Sequence, residues 1–155
     1  MTRDDTLFHI RYSFHGETMC ATLYNRLDRV LTFIQIMLGS AIFAAYGNLA
    51  LFGALVTVFS VISFVWQPGK TAMLHEIQSK KMKELITNSS NYSDAELLAA
   101  YCKAEETDNN ILGFLRDAAH KRALIALGRE SESTLIKLSF VQKSLSWLAG
   151  DLPKP

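Results

Sequence analysis

One apolar stretch limits what this chain can fold into. The 37 residues from Val30 to Trp66 contain no Asp, Glu, Lys or Arg. Only Tyr46-Gly47-Asn48 interrupts the stretch, with the polar and flexible composition of a tight turn. A helix of a small water-soluble bundle usually keeps a polar face, because such a bundle cannot bury every side of two helices. We therefore predict a transmembrane helical hairpin rather than a buried hairpin in a soluble bundle.

The two arms of this hairpin, Val30–Tyr46 and Leu49–Trp66, have 17 and 18 residues. At 1.5 Å per residue they are about 25–27 Å long, which is short but sufficient for a hydrocarbon core of about 30 Å. The turn is too short to hold a domain, so both termini lie on one side. Basic residues occur on that side and not in the turn, which predicts cytoplasmic termini. The residues expected at the membrane surface are Arg26, Arg29, Trp66, Lys70, Lys80, Lys81 and Lys83.

The rest of the chain is predicted to be helical. Sustained alternation of apolar and polar residues, which strands would show, is missing from the sequence. A mean hydropathy of +0.12 together with 20% charged residues fits a chain whose apolar residues are concentrated in one block. We predict an all-α fold with an N-terminal cytoplasmic amphipathic helix over residues 1–29, the transmembrane hairpin over residues 30–66 and a C-terminal cytoplasmic helical bundle over residues 67–155.

Periodicity and capping residues mark the helices outside the hairpin. One apolar stripe with helical spacing precedes it, with Gly16 as the expected site of a bend; the stripe consists of Phe8, Tyr12, Met19, Leu23 and Leu27. After the hairpin, a lysine-rich helix opens at Lys70 and either lies on anionic headgroups or packs on other helices. Ser93 and Glu96 have the spacing of a capping box, and Gly128 ends a later helix.

The last helix repeats apolar residues at heptad positions. Leu138, Val141, Leu145 and Leu148 follow the a and d positions of two heptads, which are too few to predict a coiled coil. This helix is expected to dock on its neighbours or to pair in an oligomer. Trp147 on the same helix is an additional candidate for contact with the membrane surface.

Small residues line one side of each hairpin arm. They let helices approach closely, and Ser or Thr can hydrogen-bond across the contact. The stripes are Ser40, Ala44 and Gly47 on the first arm and Ala50, Gly53, Ala54, Thr57 and Ser60 on the second. Two interpretations remain: the arms pack on each other, or protomers assemble around a central path. Gln35 and Thr57 are the polar groups that such a path could use.

The sequence carries no recognisable catalytic or cofactor motif. A phosphate-binding glycine loop, a nucleophile elbow and a paired-cysteine metal motif do not occur. His75-Glu76 begins like a zinc-hydrolase motif, but Ser79 stands where the second histidine belongs. We therefore predict that the protein is not an enzyme and binds no cofactor.

Charge gives further limits on the partners. The acidic residues Glu105, Glu106 and Asp108 fit a solvated turn better than a cation site. A net charge of +1, from 16 basic and 15 acidic residues, gives no general attraction for nucleic acid. The expected partners are the lipid bilayer and other copies of the chain.

Several segments resemble one known family. They are the lead-in Leu23-Tyr24-Asn25-Arg26-Leu27, the tight hairpin, the amphipathic helix near Pro68, and the runs Tyr101-Cys102-Lys103-Ala104-Glu105 and Leu115-Arg116-Asp117-Ala118-Ala119. Over nearly its whole length the chain resembles the SLATT family, bacterial two-transmembrane effectors associated with nucleotide-sensing conflict systems. The resemblance implies an inner-membrane oligomer without catalytic residues. It also implies a trigger in a cytoplasmic sensor protein or a signalling nucleotide.

The expected function is therefore mechanical. We predict an oligomeric inner-membrane effector that permeabilises or depolarises the membrane when triggered, as in anti-phage or abortive-infection defence. One alternative is a non-pore membrane scaffold or subunit that binds a cytoplasmic partner. Another is a phage holin-like protein, for which a cytoplasmic part of nearly 90 residues is large.

Overall fold

Helices and their connecting turns make up the part of the chain that the computed structural model describes, residues 2–43 and 47–153. These residues contain no strand, which confirms the predicted all-α class. In chain order the helices are α1 Arg3–Phe43, α2 Leu49–Trp66, α3 Pro68–Thr87, α4 Asp94–Glu105, α5 Arg116–Ala126, α6 Glu130–Ser133 and α7 Phe140–Leu148. Single 3₁₀ turns at Ser89–Asn91 and Gly113–Leu115 precede α4 and α5.

Two long helical rods lie side by side. The 41 residues of α1 form one rod of about 62 Å, and α2 followed by α3 forms the other. The rods are antiparallel, because Gln35 contacts Ser63 while Glu17 contacts His75. The helix α1 thus continues across the boundary at residues 29 and 30 that separates the predicted N-terminal helix from the predicted hairpin. We call residues 3–29 with α3 the polar half of the rods, and residues 30–43 with α2 the apolar half.

A single residue in the left-handed conformation joins α2 to α3. Gln67 has φ 47° and ψ 53°, and its backbone N–H donates to the Ser63 carbonyl at the end of α2. Pro68 then occupies the first turn of α3, where the missing N–H costs no intrahelical hydrogen bond. The second rod therefore continues past the apolar half, and its helix is interrupted at a single residue, Gln67.

Two apolar cores surround the polar half of α1. The distal core, near the N-terminus of α1, contains Ile10, Met82, Leu85, Leu97 and Tyr101. The proximal core, nearer to Val30, contains Met19, Cys20, Leu23, Ile111, Leu115, Ala118, Ala119, Leu138 and Ala149. Gly16 is buried between them inside continuous helix, and a Cβ at this position would overlap the Ile111 side chain. The glycine thus permits close packing of Ile111 on α1.

Local capping sets the start of the shorter helices. Ser93 and Glu96 form both hydrogen bonds of a capping box at α4, as the sequence predicts. Ser139 and Gln142 form a second capping box at α7. The guanidinium of Arg3 donates to Asp94 at 2.7 Å and to the carbonyls of Tyr92 and Ser89. This contact fixes the beginning of α1 to the turn before α4.

Candidate functional site

The apolar half of the rods leaves most of its side chains uncovered. No residue of α2 is buried. Among the described residues, one helical stretch is long and apolar enough to span a membrane, and it lies within Leu49–Thr87. In α1 the described apolar residues run from Val30 to Phe43. Large apolar side chains such as Phe33 and Phe64 are 63% and 78% exposed. Exposure of this kind is unfavourable in water, so this half requires an apolar environment.

The two apolar helices contact each other through large side chains and one polar pair. The half-buried positions of α2 have helical spacing and include Phe52, Val56, Phe59 and Ser63. The Gln35 side-chain amide donates to the Ser63 hydroxyl at 2.9 Å. A polar group in an apolar environment needs such a partner. Gln35, predicted as a path residue, is therefore bonded within the chain.

The small-residue stripe of α2 lies mostly on the outer surface of the pair. Ala50, Ala54, Thr57 and Ser60 are exposed. Gly53 is half-buried, and a Cβ added at this glycine would meet no atom within 4 Å. The Thr57 hydroxyl donates to the Gly53 carbonyl of its own helix. A flat face of small side chains is thereby left uncovered on α2.

The matching residues around the turn share this exposure. Ser40 is exposed, and its hydroxyl donates to the Ile36 carbonyl of its own helix. Gly47 is exposed as well, with φ 73°. Ala44 lies outside the described residues. In the described chain, the predicted small-residue positions other than the half-buried Gly53 are thus exposed.

Aromatic and basic residues gather where the polar half meets the apolar half. We call Tyr24, Arg26, Trp66 and Trp147 the junction cluster. The rings of Tyr24 and Trp66 meet edge to face with centroids 6.4 Å apart. The Arg26 guanidinium donates to the carbonyls of Trp147 and Leu148, at 3.3 and 2.6 Å. Arg26 is four residues before Val30, about 6 Å along the helix. Both tryptophans therefore lie close to the start of the apolar half.

Further charges are placed at the same level. Arg29 and Lys70 are exposed beside the junction cluster. The Asp28 carboxylate lies against Gly69 in the first turn of α3. A negative charge is favourable at this end of a helix because of the helix dipole. The acidic residue nearest to the apolar half thus has a local structural role.

The other lysines of the expected membrane surface are far from this level. Lys80, Lys81 and Lys83 flank Met82, which packs with Ile10 in the distal core. Ile10 precedes Val30 by 20 residues, or about 30 Å of helix. Lys80 pairs with Glu76, and Lys81 donates to the Thr107 hydroxyl. The surface expected from the sequence therefore divides into two groups, and only Arg26, Arg29, Trp66 and Lys70 adjoin the apolar half.

A buried polar pair links the two rods in the polar half. The Nδ1 atom of His75 lies 2.6 Å from Oε2 of Glu17, and both side chains are buried. The ring of Tyr24 stacks on His75 with centroids 5.6 Å apart. The second carboxylate oxygen of Glu17, Oε1, is buried with no hydrogen-bond donor among the described residues. The pair therefore ties α1 to α3 without satisfying all of its polar atoms.

Burial shifts the pKa of Glu17 and of the neighbouring Asp108. Burial raises the pKa of Glu17, and the nearby Asp108 carboxyl raises it further, against the opposing effect of His75. Partial burial also raises the pKa of Asp108. Each of these carboxyl groups consequently binds a proton more tightly in the folded chain than in the unfolded chain.

Glu17 is a site residue that the sequence pattern alone does not predict. Glu17 belongs to a buried face of α1 with helical spacing, together with Ile10, Ser13 and Cys20. An acidic residue within such a face is the pattern that could have revealed it. His75 belongs to the corresponding face of α3, with Ala72, Ser79 and Met82.

The acidic turn after α4 has no metal-binding geometry in the described chain. Within residues 2–43 and 47–153, no group of three His, Cys, Asp or Glu side chains is arranged to hold a metal ion. Glu105 and Glu106 are exposed, and the Tyr101 hydroxyl donates to Glu105. Glu105 thus accepts a hydrogen bond from Tyr101, and Glu106 is exposed to solvent.

Comparison with known proteins gives no match: no family model, no curated protein and no solved structure matches the chain. The resemblance to the SLATT family remains a prediction from the sequence segments that carry it.

Proposed function

We propose that the chain is an integral protein of the bacterial inner membrane that permeabilises or depolarises this membrane when triggered. Its apolar half forms a two-helix transmembrane hairpin, and several copies assemble through it. The observation that carries the proposal is an antiparallel apolar pair whose outer surface, including the small-residue stripe of α2, is uncovered. In water this surface would aggregate, whereas lipid and neighbouring copies cover it.

The distribution of charge supports a single orientation. Arg26, Arg29 and Lys70 adjoin the apolar half at its base, and the turn around Gly47 carries no charge. The positive-inside rule then puts both termini in the cytoplasm, with residues 1–29 as the N-terminal amphipathic helix and residues 67–155 in a cytoplasmic bundle. Tyr24 and Trp66 suit the headgroup region, where aromatic rings with a polar edge are favoured.

The small-residue face supports assembly between protomers. Ala50, Ala54 and Thr57 are one to two helical turns apart on an exposed side of α2. In lipid, helices associate where small residues let their backbones approach closely. Because α1 covers a different side of α2, this face remains open to a second copy.

The trigger is proposed from the family resemblance. A SLATT-like effector responds to a cytoplasmic sensor protein or a signalling nucleotide, and anti-phage defence is the corresponding setting. The Glu17–His75 pair supports this assignment, because it joins the two rods between the distal core and the proximal core. A partner that shifts the bundle can therefore act on both membrane helices.

Inducible expression in bacteria with a voltage-sensitive dye tests the proposal. We expect depolarisation together with oligomers on chemical crosslinking. The double substitution Ala54→Leu/Thr57→Leu should reduce both, because larger side chains block close helix approach. Val58→Leu, at an exposed position already occupied by a large side chain, is the matched control and should retain both. Absence of depolarisation with and without phage infection, together with absence of oligomers, would contradict the proposal.

A non-pore scaffold is the second candidate function. It is favoured by the hydrogen bonds of Gln35 and Thr57, which are made within the chain and so do not require a polar path. A scaffold predicts a stable complex with a cytoplasmic partner after detergent purification. It also predicts that Gln35→Leu and Thr57→Leu leave function intact. Purification of the chain alone would count against it. A holin-like role would instead require timed lysis on expression.

A further inference from the structure

The helix α7 leaves several large apolar side chains uncovered on its outer side. Phe140 and Trp147 face outward and are 84% and 68% exposed, and Val141 is also exposed. Ser146 faces inward and is buried, with no partner for its hydroxyl among the described residues. Serine is normally exposed and phenylalanine buried. The outer face of α7 is therefore adapted to an apolar cover.

A groove with three lysines runs beside this face. A pocket of about 580 Å³ is lined by Lys121, Lys137 and Lys143 together with apolar side chains. An adjoining pocket of about 480 Å³ shares Lys143 and Leu152 with it and extends to Trp147. No acidic residue lines either pocket. In the described part of the chain these lysines make no ion pair. The groove thus combines uncompensated positive charge with an apolar wall.

The groove ends at the junction cluster. At this end of the groove, Arg26 donates hydrogen bonds to the carbonyls of Trp147 and Leu148, and Gly150 lies against Thr22. Lys143 is one helical turn from Trp147, about 6 Å along α7. The headgroup region of one leaflet is itself about 5–7 Å thick. The end of the groove at Trp147 is therefore at the level where a membrane meets the apolar half, with Lys143 about one turn away.

We infer that this groove is a binding site for an anionic phospholipid of the bilayer. Lys143 attracts the headgroup phosphate, Lys121 and Lys137 add positive charge along the groove, and an acyl chain lies along Trp147 and Leu148. Charge complementarity and continuity with the junction cluster favour a lipid over a soluble partner protein. The inference rests on the proposed membrane location and deepens it, since a bound lipid fixes the cytoplasmic bundle against the membrane at α7.

Tryptophan quenching in reconstituted vesicles tests the site with the full chain. Trp66→Phe leaves Trp147 as the only tryptophan, and Trp147→Phe leaves Trp66. Each variant is reconstituted in mixtures of phosphatidylcholine and phosphatidylglycerol of fixed composition, in which one lipid or the other is brominated. We expect brominated phosphatidylglycerol to quench Trp147 more strongly than brominated phosphatidylcholine does.

The lysines are then removed in the Trp66→Phe background. Lys121→Ala/Lys137→Ala/Lys143→Ala should abolish the preference for brominated phosphatidylglycerol. Lys80→Ala/Lys83→Ala/Lys103→Ala removes the same charge from exposed positions on α3 and α4 and should preserve it. Persistence of the preference in the first triple variant would overturn the inference.

Other results identify other occupants. Loss of the preference in the presence of inorganic phosphate would assign the groove to a soluble anion. Unquenched Trp147 together with disulfide-linked dimers of a Ser144→Cys variant would assign the face to a second copy. Quenching of Trp66 but not of Trp147 overturns the lipid site and leaves the membrane hairpin intact. Quenching of neither tryptophan contradicts the hairpin as well.

Discussion

At the scale of single residues, Glu17 is a carboxyl group that the fold holds away from water. Its Oε2 atom meets His75 and its Oε1 atom has no donor among the described residues. Burial, with a further contribution from Asp108, raises its pKa above the ordinary value of 4.5. A buried group with unsatisfied polar atoms lowers stability unless it is neutralised. The folded chain therefore binds a proton at Glu17 more tightly than the unfolded chain does.

This difference predicts a pH dependence of stability. Between pH 4.5 and the raised pKa of Glu17, the folded state holds more protons than the unfolded state. The stabilising effect of this proton is present below pH 4.5 and is lost as the pH rises through the folded-state pKa. Glu17→Gln imitates the protonated carboxyl, so it should flatten this dependence and be at least as stable as the parent at pH 7. Urea unfolding in detergent micelles from pH 4 to pH 8 measures the effect.

Two observations serve as controls for Glu17. Glu17→Ala removes the partner of His75 Nδ1 and should lower the free energy of unfolding by about 1–3 kcal/mol at pH 7. The pKa of Asp108 is also raised by partial burial, and this part of the pH dependence should persist in both variants. Equal destabilisation by Glu17→Gln and Glu17→Ala at pH 7 would mean that the pair is ionised, and would contradict the prediction.

At the scale of elements, the junction between α2 and α3 depends on one strained residue. Gln67 has a positive φ of 47°, which side chains with a Cβ rarely adopt. The left-handed conformation costs about 1–2 kcal/mol for such a residue, and glycine avoids this steric cost while losing more backbone entropy on folding. Pro68 follows directly and limits the alternatives of Gln67. The junction thus keeps α3 in line with α2 at an energetic cost.

Substitution of Gln67 tests this strain. We expect Gln67→Gly to raise the free energy of unfolding by up to about 1 kcal/mol, because steric relief exceeds the added entropy cost. Gln67→Ala keeps a Cβ at the same φ and should leave stability within about 0.5 kcal/mol of the parent. Thermal unfolding in micelles, followed by circular dichroism, compares the three proteins. A less stable Gln67→Gly protein, with Gln67→Ala unchanged, would show that strain is not the controlling term.

The elements also show which structural features a sequence can reveal. The start of α4 was predictable because the capping box of Ser93 and Glu96 is a local pattern. The side of α7 that is buried could not be predicted in this way. The sequence pattern groups Val141 with Leu138, which precedes α7, whereas the structure exposes Val141 and buries Leu138. Glu17 was missed because its partner His75 is 58 residues away. Burial and pairing depend on packing between distant segments, which one sequence does not contain.

At the scale of the whole molecule, α1 connects the distal and proximal cores to the apolar half. It contributes Ile10 to the distal core and Met19, Cys20 and Leu23 to the proximal core. It then continues through Val30 to Phe43 beside α2. A disturbance of either core therefore acts on the same rod that enters the apolar half. In the proposed function, this continuity is the physical path from a trigger acting on the cores to the apolar half.

Shared use of α1 predicts that the two cores unfold together. We expect one unfolding transition for both cores. Ile10→Ala in the distal core and Leu115→Ala in the proximal core should each lower its free energy of unfolding by about 2–5 kcal/mol. Urea unfolding in micelles, with Trp147 fluorescence in a Trp66→Phe background, reports on the proximal side, and hydrogen exchange reports on both. Ile10→Ala should shift the Trp147 transition, although Ile10 belongs to the other core, because loss of the distal packing releases α1. A Trp147 transition that Ile10→Ala leaves unchanged would mean that the cores are independent, and α1 could not then transmit a distal signal to the apolar half.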